Sequence, residues 1–258
     1  MSASDSEIER SASDASASLN EQPTETCASH LSYWHAPAHN APVLVEKTET
    51  HAGDRFLSRK IKLLFDVVVA SFILMVILPV FLIIWGIVAL DDGPALYGQV
   101  RIGRNGVPFR CLKFRSMVTN SDAVLRQILE TDEACRREWE TTRKLSHDPR
   151  ITMIGRFLRK TSLDEIPQLL NVIKGDMSLV GPRPVVEAEL KYYGQYLRYY
   201  EAVRPGITGL WQVSGRSDTA YEERVKLDTY YVKNWNLALD LKILYRTIPA
   251  VMMQKGAR

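Results

Sequence analysis

The sequence predicts a mostly helical α/β protein that is attached to a membrane. The apolar run Val67–Leu90 is long enough to enter a bilayer. The residues after it alternate between amphipathic helical segments and short strands that Gly and Pro separate. The segment Arg159–Asn171 places charged groups at a predicted helix start. We therefore expect a re-entrant membrane helix-hairpin, interfacial amphipathic helices and a small cytosolic domain.

The composition excludes some classes of protein. The 258 residues contain 33 Lys and Arg against 30 Asp and Glu, and this charge is too balanced for a general nucleic-acid binder. The three cysteines, Cys27, Cys111 and Cys135, are scattered and form no CxxC pair. This usage indicates a reducing compartment and no zinc site.

Residues 1–54 are rich in Ser, Ala and Thr and lack hydrophobic periodicity. Such a composition cannot bury enough apolar surface to fold, so we expect a disordered segment. It has neither a basic start nor an apolar stretch, so we do not expect a signal peptide.

Residues 55–95 form the predicted membrane segment. Its apolar run would measure about 36 Å as a straight helix, enough to cross a hydrocarbon core of about 30 Å. Pro79 interrupts the helical hydrogen bonds in the middle of the run, which predicts a bend. Basic residues flank both sides of the run, which favours a hairpin that enters and leaves the same leaflet. The alternative is a spanning helix with a proline kink.

Asp66 lies at the edge of the apolar run, where an acid is costly unless it is paired. Lys62 is one helical turn away and is the expected partner. The alternative is that Asp66 simply lies among the lipid headgroups.

Residues 96–258 are expected to form the cytosolic domain. Strands are predicted near residues 95–100 and 109–117, and Lys113 and Arg115 would share one face of the second strand. Helices are predicted at residues 121–145, 151–158, 185–201, 222–235 and 237–253.

Asp164 and Glu165 lie at the predicted start of the central helix. Ser162 and Glu165 match a capping box, and Pro167 fits the first turn. The helix dipole would keep Asp164 ionised, and such a helix start also binds phosphate. A carboxylate among phosphate-binding groups suggests a nucleophile for phosphorus, whereas the alternative is that both acids only cap the helix.

Three arginines are candidates for phosphate binding. Arg183 lies between two prolines, which would present its guanidinium with little entropy to lose. Arg204 precedes a Pro-Gly turn, and Arg159 lies just before the two acids.

From about Lys60 onward the chain resembles the bacterial sugar transferases, specifically the monotopic polyprenyl-phosphate phosphoglycosyl transferases and most closely their ExoY-like branch. The resemblance is carried by Lys113–Met117, Leu163–Glu165, Lys174–Ser178, Gly181–Pro184 and Arg204–Gly209.

The resemblance implies transfer of galactose- or glucose-1-phosphate from a UDP-sugar to polyprenyl phosphate at the cytoplasmic face of the bacterial inner membrane. It implies a catalytic Asp164–Glu165 dyad and Mg²⁺, for which Asp164 is the expected ligand and Asp176 a second candidate. Phosphate contacts are expected from Arg183, Arg159 and Arg204, with Lys113 as a further candidate, and Pro79 is expected to break the membrane helix. A competing hypothesis is a non-catalytic adaptor whose basic faces bind anionic lipid.

Overall fold

The computed structural model describes residues 52–91, 93–142, 145–214 and 220–252. Of the predicted disordered segment, residues 1–51 lie outside the described residues. Residues 52–54 form the start of the first helix. The helices are α1 (Ala52–Ala89), α2 (Ser121–Thr131), α3 (Glu133–Thr142), α4 (Met153–Thr161), α5 (Gln168–Lys174), α6 (Leu197–Glu201), α7 (Leu210–Ser214), α8 (Tyr221–Lys233) and α9 (Leu237–Met252). The strands are β1 (Leu96–Ile102), β2 (Pro108–Phe114), β3 (Ser178–Val180) and β4 (Gly206–Thr208). The chain is thus mostly helical with a few strands, as its sequence predicts.

Helix α1 runs through Pro79 as one helix of 38 residues. A single proline removes one backbone hydrogen bond, and the apolar residues on both sides continue the helix. The predicted hairpin is therefore not confirmed, and the re-entrant path remains a prediction. Among the described residues, Arg59–Ala89 is the one segment that is long and apolar enough to cross a membrane, judged by length and composition.

One face of α1 packs against the rest of the protein along most of its length. Ala70 lies in the main core with Val172 and Met177. Nearer its end, Ile84 and Val88 pack in a second cluster with Phe114 and Leu158. The opposite face is exposed and apolar, and its most exposed large side chains are Leu64, Phe72, Met75, Val76 and Ile83, with Leu90 exposed just after the helix.

Polar contacts fix both ends of this packed region. Lys62 Nζ lies 3.6 Å from Asp66 Oδ1, which confirms the predicted pair, and only 2.6 Å from Asp240 Oδ2 on α9. Asp66 is fully buried and accepts a 2.8 Å hydrogen bond from Ser178 Oγ. At the other end, Arg115 Nη2 donates to the backbone oxygens of Val88 and Asp91. Asp66 is therefore a buried structural acid and does not lie among headgroups.

Two small sheets support the site. β1 and β2 form an antiparallel hairpin that pairs Leu96 with Phe114 and Ile102 with Pro108. β3 and β4 are parallel and pair Ser178 with Gly206. The parallel pair lies in the core beside α5, because Leu179 and Val180 are buried with Leu169 and its neighbours.

Two predicted helices have a different form. The segment 121–145 divides into α2 and α3 at Asp132, whose extended backbone ends the first helix. The segment 185–201 contains two 3₁₀ turns, Glu187–Tyr192 and Gly194–Tyr196, followed by the short helix α6. Gly194 has a φ of 47°, and this left-handed conformation interrupts any regular helix.

Candidate active site

Asp164 lies in a 3₁₀ turn, Leu163–Glu165, between α4 and α5. Ser162 adopts a left-handed conformation with a φ of 58°, ends α4 and makes no side-chain capping bond, so the predicted capping box is wrong. Helix α5 begins at Gln168 after Pro167, which confirms only that the proline lies at its start. The turn holds the Asp164 carboxylate inside the protein, where the residue is 8% exposed.

Lys113 joins the two acids. Its Nζ lies 2.6 Å from Glu165 Oε1 and 3.8 Å from Asp164 Oδ2. The alternation of β2 places Lys113 on the face opposite the buried Phe114, and the strand ends before Arg115. Lys113 therefore faces the acids as a candidate site residue, whereas Arg115 turns away to the end of α1.

Arg159 reaches the same region from α4. Its Nε donates a 2.8 Å hydrogen bond to Ser116 Oγ. Helix α4 comes this close to Ser116 because residue 155 is glycine, and any side-chain carbon there would overlap the Ser116 carbonyl group. Thr152 caps the helix by accepting from the Gly155 N–H. The charge of Arg159 acts on Asp164.

Beside the acids lies a shallow, open cleft. Its lining contains three cations and several polar groups: Arg101, Cys111, Lys113, Glu165, Gln168, Arg183, Pro184, Ile207 and Gln212. Guanidinium and ammonium groups in such a lining suit the phosphate groups of a ligand.

Burial and charge act differently on the two acids. Burial raises the pKa of Asp164, although Lys113 and Arg159 oppose the effect. For Glu165, burial also raises the pKa, but Lys113 and then Arg183 outweigh it, and the net pKa is lowered. Glu165 is thus the acid more strongly held in its charged form, and the buried Asp164 is the more basic carboxylate.

Two expected site residues lie elsewhere. Arg204 Nη2 lies 3.9 Å from Asp66 Oδ2, where it helps to neutralise the buried acid of α1. Asp176 lies 3.7 Å from Lys174 Nζ and accepts from Asn171. The structure describes neither residue in the lining of the cleft.

The donor set can be compared with the needs of Mg²⁺. Within the described ranges no group of three or more Asp, Glu, His or Cys side chains converges. Asp164 and Glu165 offer two adjacent carboxylates, and Mg²⁺ is commonly held by one or two carboxylates together with substrate phosphates. The dyad therefore fits such an ion, and Asp176 does not join it.

The sequence-based reasoning missed several lining residues. Arg101 is a basic residue after the membrane run and belongs to the family-like motif Arg101-x-Gly103, but the sequence assigns it no site role, whereas the structure places it in the cleft with Arg183. Gln168 and Gln212 are uncharged, and no sequence pattern marks them as site residues. The alternation of β1 could have marked Arg101, because it faces away from Ile102, which is buried.

Comparison with known proteins gives a consistent result. A family model described as bacterial sugar transferase matches residues 57–254. The chain is 53% identical over 194 residues to the exopolysaccharide production protein ExoY of Sinorhizobium fredii, covering 75% of this chain and 86% of that relative. It is 54% identical over 200 residues to the undecaprenyl-phosphate galactose phosphotransferase of Salmonella typhimurium, covering 78% of this chain but only 42% of that relative. The UDP-glucose:undecaprenyl-phosphate glucose-1-phosphate transferase of Escherichia coli is 38% identical over 210 residues, covering 78% of this chain and 42% of that relative.

Proposed function

Because the chain belongs to the bacterial sugar transferase family, we propose that it transfers hexose-1-phosphate from a UDP-sugar to undecaprenyl phosphate and so begins an exopolysaccharide repeat unit. Galactose-1-phosphate is the proposed group, since identity is 54% to a galactose relative and 38% to a glucose relative. The chain spans less than half the length of both relatives, so their activity supports this proposal and does not establish it.

The observation that carries the proposal is the buried Asp164 carboxylate beside Lys113 and Arg159. We infer that an Asp164 oxygen attacks the β-phosphorus of the donor. A carboxylate–phosphorus bond forms, the bond from that phosphorus to the bridging oxygen breaks, and UMP leaves with the electron pair. An oxygen of undecaprenyl phosphate then attacks the same phosphorus and releases Asp164.

The surrounding cations make this attack feasible. An anionic nucleophile and an anionic diphosphate repel each other, and Lys113 and Arg159 reduce that repulsion at the nucleophile. Asp164 and Glu165 would hold Mg²⁺, which would supply further charge stabilisation to the transferring phosphate. Lys113 also orients Glu165 through its 2.6 Å contact.

The exposed apolar surfaces support a place on the cytoplasmic face of the inner membrane. The outer face of α1 exposes apolar side chains. Exposed apolar side chains also occur on α4 and α9: Met153, Phe157, Leu241, Tyr245 and Ile248. Such faces suit interfacial helices. A re-entrant path for α1 is favoured because Asp66 and Val88, near the two ends of its apolar run, both pack on the same domain.

The test is UMP release by the full-length protein in vesicles. Asp164→Asn should abolish UMP release and transfer, while Asp176→Asn is the matched control and should retain both. Mass spectrometry of active protein given donor alone should find a phosphosugar on Asp164. UMP release by the Asp164→Asn variant would refute the nucleophile, and the absence of UMP release from the unmodified protein with any UDP-sugar would favour the adaptor hypothesis.

A further inference from the structure

Two arginines from distant chain segments share the cleft. Arg101 is the next-to-last residue of β1, and Arg183 lies in the loop after β3. Burial lowers the pKa of Arg101, and the charge of Arg183 lowers it further. Two like charges in the lining of one cleft repel each other, and an anion bound between them would offset that repulsion. Within the described part of the chain, Arg183 forms no ion pair of its own.

The direction of Arg101 is fixed by three contacts. Its Nη2 donates to Gln99 Oε1 at 2.8 Å, and its Nη1 donates to the Pro184 oxygen at 3.2 Å. Nη1 also lies 3.7 Å from Glu189 Oε2, which is itself held by the Val186 N–H at 3.0 Å. Because Pro184 adjoins Arg183, the contact with its oxygen holds the Arg101 guanidinium beside the loop that carries Arg183.

The cations divide into two sets around the acids. Lys113 and Arg159 are the cations that act on Asp164. Lys113 also acts on Glu165, which lines the cleft, and Arg183 and Arg101 act on Glu165 in addition. In an in-line displacement the leaving oxygen lies opposite the nucleophile. The more distant pair of arginines is therefore placed for the departing phosphate.

We propose that Arg101, with Arg183, binds the α-phosphate of the donor, and that Glu189 is the positioning residue for Arg101. This inference rests on the proposed function. When the bond from the β-phosphorus to the bridging oxygen breaks, its electron pair stays on the α-phosphate, whose charge changes from −1 to −2. Two guanidinium groups match the dianion better than the monoanion, so they stabilise the transition state more than the bound donor.

The experiment compares UMP with uridine, which lacks the phosphate, on full-length protein in vesicles. Arg101→Gln should weaken UMP binding about tenfold or more and leave uridine binding unchanged, as expected for loss of a charged hydrogen bond of about 1.5–3 kcal/mol. It should also lower kcat about 10²-fold with a smaller change in KM, as for loss of one transition-state donor. Arg101→Lys should recover part of the lost UMP affinity and kcat, because lysine keeps the positive charge but lacks the paired N–H donors of the guanidinium group.

Arg104→Gln is the matched control, since Arg104 is an exposed arginine in the same hairpin. It should leave UMP and uridine affinity at the wild-type level. Glu189→Gln keeps an acceptor for Val186 but loses its charge, and it should weaken UMP binding a few-fold with uridine binding unchanged.

Wild-type UMP affinity in Arg101→Gln would overturn the proposal. An equal loss of UMP and uridine affinity in both Arg101 variants would also overturn it, because the residue would then only maintain the structure. UMP binding requires no transfer, so failure here is distinguishable from UMP release by Asp164→Asn, which concerns the proposed reaction itself.

Discussion

Asp228 on α8 should make the stability of this protein depend on pH. The residue is 3% exposed, and its Oδ2 accepts a 2.9 Å hydrogen bond from the Tyr193 hydroxyl. Its Oδ1 has no hydrogen-bond partner in the part of the chain that the structure describes. Burial raises the pKa of Asp228 to about 7, although the bond from Tyr193 opposes the effect. The neighbouring Tyr193, Tyr200 and Tyr221 stay neutral, because burial raises their pKa values further above the working range.

The magnitude follows from the difference between the folded and unfolded pKa values. The folded protein keeps a proton that the unfolded chain releases above its pKa of 3.8. The stabilisation is complete below 3.8, falls as the pH rises, and is lost once the pH passes about 7. At about 1.4 kcal/mol per pH unit, the titration of Asp228 should lower the free energy of unfolding by roughly 3 kcal/mol when the pH rises from 5 to 8.

Asp228→Asn removes this titration while the amide oxygen still accepts from Tyr193. Thermal unfolding at pH 5 and pH 8 should therefore show a smaller pH dependence in the variant. A change of about 3 kcal/mol corresponds to roughly 6–12 °C in a domain of this size. Glu223→Gln, an exposed acid on the same helix, is the control and should follow the wild type. Equal pH dependence in Asp228→Asn and the wild type would refute the reasoning.

Three further predictions follow from the packing. In a background without native cysteines, Arg59→Cys and Leu90→Cys should react with an impermeant maleimide from the same side of the membrane, because both positions are exposed. Reaction from opposite sides would contradict a re-entrant path. The Asp240 carboxylate accepts from Lys62, Tyr231 and Trp235, and Asp240→Asn removes its charge. Chemical unfolding should show a free energy of unfolding lower by about 3 kcal/mol, and an unchanged midpoint would contradict a stabilising role for this carboxylate. Gly155→Ala should lower the free energy of unfolding by more than about 2 kcal/mol, because the new methyl group would overlap the Ser116 carbonyl group. Gly86→Ala has open space around it and should raise the free energy of unfolding by about 0.5–1 kcal/mol. Equal shifts of the melting temperature in the two variants would contradict the geometry.

Local patterns predict part of the candidate site. The position of Asp164 and Glu165 before an apolar helix makes them candidates. Strand alternation places Lys113 and Arg115 on one face, but only Lys113 reaches the acids. Arg183 was identified from the prolines around it, and the structure brings it to the same cleft as Lys113 and Glu165. These signals depend on neighbours within a few residues, which a single sequence displays directly.

Other features depend on contacts that a single sequence does not display. Arg204 looked like Arg183, because both adjoin prolines, but Arg204 neutralises a buried acid of α1. Arg101 enters the cleft only because the β1–β2 hairpin folds beside the loop of Arg183. Ser162 matched a cap in spacing, but its left-handed backbone ends the preceding helix. In each case tertiary structure decided between local alternatives.

The contact between Lys62 and Asp240 joins residues that are 178 positions apart. A ribosome that adds about 5–20 residues per second needs roughly 10–35 s to travel from one to the other. During that time Lys62 and Asp66 have been synthesised, but the second acid that contacts Lys62 has not. The contact between α1 and α9 therefore forms only after translation has passed Asp240, and a chain that stops before α9 would lack it.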